Sequence, residues 1–483
     1  MHGEPDFLNN VRGELRDYRT WIDRVLVLGF AALAGLAVVG FTLLSEWAFH
    51  WFERLQAWNP WLILLWTPAI TAGIVWLTRR HFAGAAGSGI PQVMAALDPA
   101  LPPQEGKRFV SVKLTLGKIG LSSMGLLAGL SIGREGPSVQ VAAGVMQHAQ
   151  RWLGPKQQIS RHALLVAGGA AGIAAAFNAP LAGVLFAIEE LSRKLESRNS
   201  GLIIAAIVLA GLISVSFFGN VTYFGVIRVP RLGLDALLPG LAVVLSCGLL
   251  GGLFARLLIA SLRGGDDRFS RWRSRFPVRF AAGAGLAVAV LGLASGGSTY
   301  GAGSEAVKHM LAGQADVPPL YVLLKFVATW LTAWSGVPGG IFAPSLSIGA
   351  GVGNNIAQLA GGDIGPALIA MGMAAFLAAV TQAPLTAFII VMEMVDGHRM
   401  VLSLMAAAML ASLVSRMVSR SLYSALAEHM VAMVIGPPPD PAAPGGATPA
   451  ATSTPAPASA PASASAATAP ARPRPASGPG PEL

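Results

Sequence analysis

A glutamate and an arginine stand side by side in Gly133-Arg134-Glu135-Gly136-Pro137-Ser138, between the strongly apolar runs 109–132 and 139–147. A charge at membrane depth costs roughly 3 kcal/mol on insertion scales, and those that persist are functional. The glycines and the proline break the helix there. Non-helical backbone survives at that depth only when it is buried in protein or lines a watery cavity. A carboxylate at a helix start competes with an anion for the same free N–H groups. Deprotonated, Glu135 would occupy their site; protonated, it would leave. Burial raises the proton affinity of such an acid and a helix N-terminus lowers it. The expected chemistry is a titratable gate in an ion pathway. Arg134 is expected either to pair with a carboxylate or to face water.

Two further breaks have the same character. Gly87-Ser88-Gly89-Ile90-Pro91 and Gly340-Ile341-Phe342-Ala343-Pro344-Ser345 each place a proline where the first helical turn tolerates a missing N–H. Helices are expected to open from Ser88, Glu135 and Ile341 onward. Each start offers free N–H groups and a positive dipole end, which suit an anion. Ser88 adds a hydroxyl donor. Neutral donors matter for transport, because a full Lys or Arg charge in low dielectric would hold the anion too tightly to release it. One such break alone makes a packing kink; three in one chain, two of them repeat-related, point to a site. Lys118, inside the 109–132 run, is expected to snorkel or to pair with a carboxylate.

The elements that position these residues come in two copies. Gly133-x-x-x-Pro137-Ser138 recurs 207 residues later as Gly340-x-x-x-Pro344-Ser345. Asn178-Ala-Pro180-Leu, ending in Glu189-Glu190, recurs 204 residues later as Gln382-Ala-Pro384-Leu, ending in Glu393-Met394. Two motifs in the same order at nearly one offset imply homologous halves. Transporters built this way place their sites on broken helices at the repeat interface. Glu189 has a partner in Glu393 and reads as structural. Glu190 is acidic in one half only, which fits either an ordinary helix-end acid or a proton access point. Whether the halves are parallel or inverted cannot be read from runs this irregular.

Of the 483 residues, 53% are hydrophobic and 12% charged, and mean hydropathy is +0.59. Soluble proteins carry about 25% charged residues, so the chain reads as an all-α integral membrane protein. The net charge of +10 sits in short loops, as the positive-inside rule requires, and does not signal nucleic acid. The densest basic loop holds Arg263, Arg268, Arg271, Arg273, Arg275 and Arg279 and is placed in the cytoplasm. A single cysteine, Cys247, excludes an intramolecular disulfide. No cleavable signal peptide is evident. Residues 1–24 are expected to form a short amphipathic cytoplasmic helix. Candidate spans lie at 25–47, 60–78, 109–132, 163–190, 201–218, 234–262, 280–296, 319–337, 341–360, 364–395 and 399–415; several are too long for one span or contain Gly/Pro breaks, so tilted and discontinuous helices are expected. The first membrane repeat is assigned to 25–218 and the second to 219–434. From 435 to 483 the composition turns to Pro, Ala, Ser, Gly and Thr, and a disordered tail is expected.

GSGIP at 87–91, GREGPSVQ at 133–140, NAPLAGVLFAIEE at 178–190, GGIFAPSLSIG at 339–349 and Leu422-Tyr423-Ser424-Ala425 occur in that order. Together they resemble the CLC family of chloride channels and chloride/proton exchangers, over about residues 10–434. The resemblance implies two inverted-topology repeats of tilted and re-entrant helices, and a homodimer in which each subunit carries its own pathway. It implies that Ser88 and Tyr423 supply hydroxyl ligands to a central chloride, with the N–H groups of Ile341 and Phe342. By it, Glu135 is the external gating glutamate and Glu190 the internal proton-transfer glutamate of the exchanger branch, a position not acidic in the channel branch. Gln92 stands where many relatives carry glutamate. Ser88 resembles the chloride-selective pattern, and Ser88 with Tyr423 argues against the fluoride-exporting branch. No nucleotide-binding domain is seen after Tyr423, as in bacterial members.

The leading expectation is a multi-pass inner-membrane transporter exchanging chloride for protons. It has no cofactor and no metal, and chloride is its transported ligand. The runner-up is a passive chloride channel of the same fold. A membrane enzyme is not signalled, since HExxH, GxxxxGK[ST] and GxSxG are absent. A cation/proton antiporter would want paired carboxylates rather than helix N-termini.

Overall fold

The computed structural model describes residues 18–436 apart from 155–158, 193–199, 220–221, 226, 228–235, 315–316, 319 and 362–363. In chain order its helices are α1 (Tyr18–Trp58), α2 (Ile63–His81), α3 (Ile90–Leu97), α4 (Val112–Leu127), α5 (Glu135–His148) and α6 (Arg161–Phe177). Then come α7 (Pro180–Phe186), α8 (Ser200–Phe218), α9 (Leu237–Arg263), α10 (Arg268–Arg275), α11 (Pro277–Ala294) and α12 (Ser304–Leu311). The last are α13 (Tyr321–Ser335), α14 (Phe342–Ala360), α15 (Gly365–Thr381), α16 (Pro384–Met394), α17 (Val401–Arg416) and α18 (Leu422–Ile435). Among the described residues seven helical segments, some of them counted with the short turn that precedes the helix, are long and apolar enough to cross a membrane, so the chain is a multi-pass, all-α membrane protein. At 1.5 Å per residue, the 41 residues of α1 reach about 60 Å, twice the ~30 Å hydrocarbon core, so α1 is tilted or projects beyond it.

The expected boundaries need several corrections. Residues from Tyr18 continue into the first span without a break, so 18–24 are not a separate helix; 1–17 lie outside the described residues. Ile435 closes α18, and the expected tail lies outside the described residues from 437 onward. The basic stretch expected as a loop contains the helix α10, capped by the Asp267 carboxylate accepting from the Ser270 N–H at 2.9 Å. The Ser270 hydroxyl, and then the Ser270 N–H, hold the Asp267 carboxyl below its ordinary value. The runs 163–190 and 364–395 are each two helices, in line with the discontinuous helices expected of runs this long. Asn178 and Gln382 close α6 and α15 in left-handed conformation (φ 57° and 59°), and Ala179 and Ala383 follow in non-helical conformation before a proline. A residue before proline avoids the helical region, which forces the break.

Small residues let these helices touch. A methyl group on Gly172 of α6 would lie 2.5 Å from the Ser138 carbonyl oxygen of α5. The α14–α15 contact uses Gly349 against Gly372 in the same way. The two motif copies also cap each other. The Glu189 carboxylate accepts from the N–H groups of Leu385 (3.0 Å) and Thr386 (2.6 Å) at the start of α16. The Glu393 carboxylate accepts from Leu181 (3.3 Å) and Ala182 (2.8 Å) at the start of α7. Each acid satisfies orphan N–H groups of the other copy's helix, in agreement with the structural reading of this pair.

Candidate functional site

Three broken segments meet at one point. Gly133 and Gly340 exchange both backbone hydrogen bonds at 2.8 Å, and the Gly339 N–H donates to the Gly87 carbonyl at 3.1 Å. The helices that follow, α3, α5 and α14, therefore start side by side. Observed starts are Ile90, Glu135 and Phe342, one or two residues later than expected for the first and third. Pro91, Pro137 and Pro344 all fall in first turns, as expected. Close approach is enforced by glycine: a methyl on Gly136 would lie 2.5 Å from Ser88 Oγ.

Two polar loops are clamped from behind by buried lysines. Lys118 Nζ donates to the carbonyls of Ala85 (2.8 Å) and Gly87 (2.6 Å). It neither snorkels nor pairs with a carboxylate, which corrects the expectation: its N–H donors go into fixing the loop that presents Ser88. Lys325 Nζ does the same for Thr299 (2.9 Å) and Gly301 (2.8 Å), ahead of α12. Gln92, on α3, accepts from the Gly89 N–H at 2.8 Å and donates to the Ala86 carbonyl, so it caps its own helix. Gln140 of α5 bridges the carbonyls of Gly84 (2.9 Å) and Phe109 (2.6 Å). None of Lys325, Gln140 or the pairing of Glu46 with Arg134 was singled out from sequence. Lys325 was findable, as it lies 207 residues after Lys118, the offset of the GxxxPS frame.

Cavities approach the convergence point from two sides. One, of about 900 Å³, is lined by Glu46, Gly133, Arg134, Glu135 and groups on α12. The other, of about 380 Å³, is lined by Ser88, Ile341, Tyr423 and apolar residues of α9 and α18, with Arg263, Arg273 and His429. Glu135 is 1% exposed. Its carboxylate faces the N–H groups of Arg134, Glu135 and Ala343, and its Oε2 has no hydrogen-bond partner within bonding geometry. Ser88 Oγ and Tyr423 Oη are buried without a bonded protein partner, yet lie close enough to sense one another. Buried hydroxyls are ordinarily satisfied, so two orphans beside three helix starts form a cradle for an acceptor. The Phe342 ring stacks on Tyr423 (6.0 Å, 5°) and packs on Phe177 (6.0 Å), holding both in place.

Ser88, Glu135, Ile341, Phe342 and Tyr423 are thus brought together. Glu190 stands apart, in a π-helical turn (Ala187–Leu191) that continues α7, and it lines neither cavity. Its carboxylate still acts electrostatically on the Tyr423 phenol, as does that of Glu135. Such π turns recur at functional positions, and nothing in the residue pattern announces this one. Arg134 makes the carboxylate pair anticipated for it, donating to Glu46 at 2.8 Å.

Helix starts meeting between two cavities inside a multi-pass helical protein define an ion-pathway protein whose neutral donors suit an anion. The sequence model of the family described as voltage gated chloride channel matches residues 69–416, and the chain belongs to that family. It is 31% identical over 422 residues to the H(+)/Cl(-) exchange transporter ClcA of Cronobacter sakazakii, covering 83% of this chain and 88% of the relative. It is 29% identical over 433 residues to ClcA of Citrobacter koseri, covering 84% and 89%. Among solved structures, a slow cyanobacterial Cl-/H+ antiporter superimposes with a TM-score of 0.74 at 26% identity, over 86% of this chain and 98% of that one. A CLC-type fluoride/proton antiporter shares the fold, with a TM-score of 0.69 at 24% identity, over 84% and 97%.

Proposed function

We propose that the protein is a secondary active transporter that exchanges chloride for protons across a bacterial inner membrane, working as a homodimer with one pathway per subunit. The observation that carries this reading is the pair of buried, unpartnered hydroxyls, Ser88 Oγ and Tyr423 Oη, beside helix starts and an acid. Chloride enters through the 380 Å³ cavity and is held by these hydroxyls and the N–H groups of Ile341 and Phe342. All four donors are neutral, so the anion is bound without being trapped. No cofactor takes part.

Glu135 closes the path while ionised, because its carboxylate occupies the N–H groups at the helix starts. Protonation removes the charge that holds it there, and the side chain leaves toward the 900 Å³ cavity it lines. The proton taken up is then carried to the other side through Glu190, which lies within electrostatic reach of Tyr423. Anion passage and proton transfer share one swing of one side chain, so each drives the other. An acid at position 190 favours the exchanger over the passive channel of the same fold, and the relatives named as exchangers support the same choice.

The test is a chloride gradient imposed on liposomes containing the purified protein. Proton uptake against its own gradient is the expected result. Chloride flux with no uphill proton movement would make the protein a passive channel.

A further inference from the structure

The larger cavity holds an ion pair that the anion cradle does not require. Glu46 of α1 meets Arg134, the residue just before the gate, at 2.8 Å. The Arg134 side chain is 12% exposed and that of Glu46 55%, so the pair forms part of the cavity wall. The guanidinium also lies over the Tyr223 ring at 6.0 Å. An arginine without a counter-charge here would act in two ways. It would stabilise the ionised form of the neighbouring Glu135, since an opposite charge a few Å away favours a carboxylate. It would also detain anions at the mouth of the path.

We propose that Glu46 is a positioning residue for the gate, holding the Arg134 guanidinium on the wall and cancelling its charge so that Glu135 can accept a proton from this cavity. The proposal rests on Glu135 being the gate. Other charged or titratable groups face the same space. His50 and Glu53 of α1 pair with each other at 3.6 Å. On α12, Glu305 and Lys308 pair at 2.8 Å, and His309 lies beside them. Tyr223 contacts Ser304 at 3.5 Å. Among the described residues Glu46 is the acid whose side chain bonds Arg134, so its removal leaves that charge uncompensated.

Chloride efflux from liposomes, measured against external pH, reads this directly. Glu46→Gln is expected to move half-maximal efflux to more acidic pH by about half a unit or more, because protonating Glu135 then needs more acid. It is also expected to lower the external chloride giving half-maximal flux. Glu46→Asp should keep the wild-type profile, and Glu46→Gln with Arg134→Gln should return toward it, since the shift needs the arginine's charge. A Glu46→Gln profile that overlays wild type, or a double variant shifted as far as the single one, would overturn the proposal. Size-exclusion behaviour and the Asp variant separate misfolding from the electrostatic effect. Wild-type proton uptake tests the exchanger reading on its own, and efflux against pH reads Glu46 whether or not transport is coupled.

Discussion

Lys118 and Lys325 hold matching loops in the two repeats, each by a pair of backbone carbonyls, and the loops then part ways. Behind Lys118 the loop presents Ser88; behind Lys325 the aligned position is Ala302. The same division runs through the molecule. Asn178 and Gln382 make the same left-handed stop, and Glu189 and Glu393 cap each other's helices. Beside these matched pairs stand unmatched ones: Glu135 against Phe342, and Glu190 against Met394. The shared lysines and glutamates are structural, their side chains bonding backbone carbonyls and N–H groups. The groups proposed to bind or move ions occur once. Symmetry supplies a meeting point of helix starts, and its local breaking supplies a direction.

Each half of that division can be broken separately. Glu190→Gln should lower proton transport by about 100-fold, the scale of a lost positioned proton carrier, while chloride binding by calorimetry stays within about twofold by the same reasoning. Comparable losses of both would place Glu190 among the structural residues. Tyr423→Ala should weaken chloride binding by about 10- to 100-fold, since a hydrogen bond to a charged partner contributes roughly 1.5–3 kcal/mol. Tyr423→Phe retains the stack on Phe342 and isolates the hydroxyl; unchanged chloride binding in both variants would contradict the cradle. Gly136→Ala presses a methyl against Ser88 Oγ and should cost about 1–3 kcal/mol of overpacking. It should appear as weaker chloride binding together with a lowered thermal stability. The smallest and most symmetric effect is expected of the lysines. Lys118→Met and Lys325→Met should each lower unfolding stability in detergent by about 1–3 kcal/mol, by orphaning two carbonyls. Only the first should disturb chloride binding, and equal effects on chloride would erase the distinction between the repeats.

Much of this was legible in the residues. Hydropathy shows the membrane, the glycine–proline breaks show where helices restart, and the GxxxPS frame shows the duplication. Glu135, Ser88, Ile341, Phe342 and Tyr423, expected from motif position, converge in space. What stayed hidden has physical reasons. A lysine in an apolar run suggests snorkelling or a carboxylate, because carbonyl partners come from a distant loop and leave no pattern. The π turn under Glu190 has no residue signature. The Glu46–Arg134 pair spans 88 positions, and α1 reads from sequence as an ordinary span. The length and prolines of runs 163–190 and 364–395 announce a break, but its exact place lies in the left-handed backbone of Asn178 and Gln382, which hydropathy does not register.

The central claim is that one protonatable side chain, present in one repeat only, ties anion movement to protons. It is tested most directly by comparing wild type and Glu135→Gln in the same chloride-loaded liposomes, with proton uptake and chloride release recorded together. The wild-type protein is predicted to move both, and the variant to move chloride alone. Proton uptake that persists in Glu135→Gln would contradict the claim.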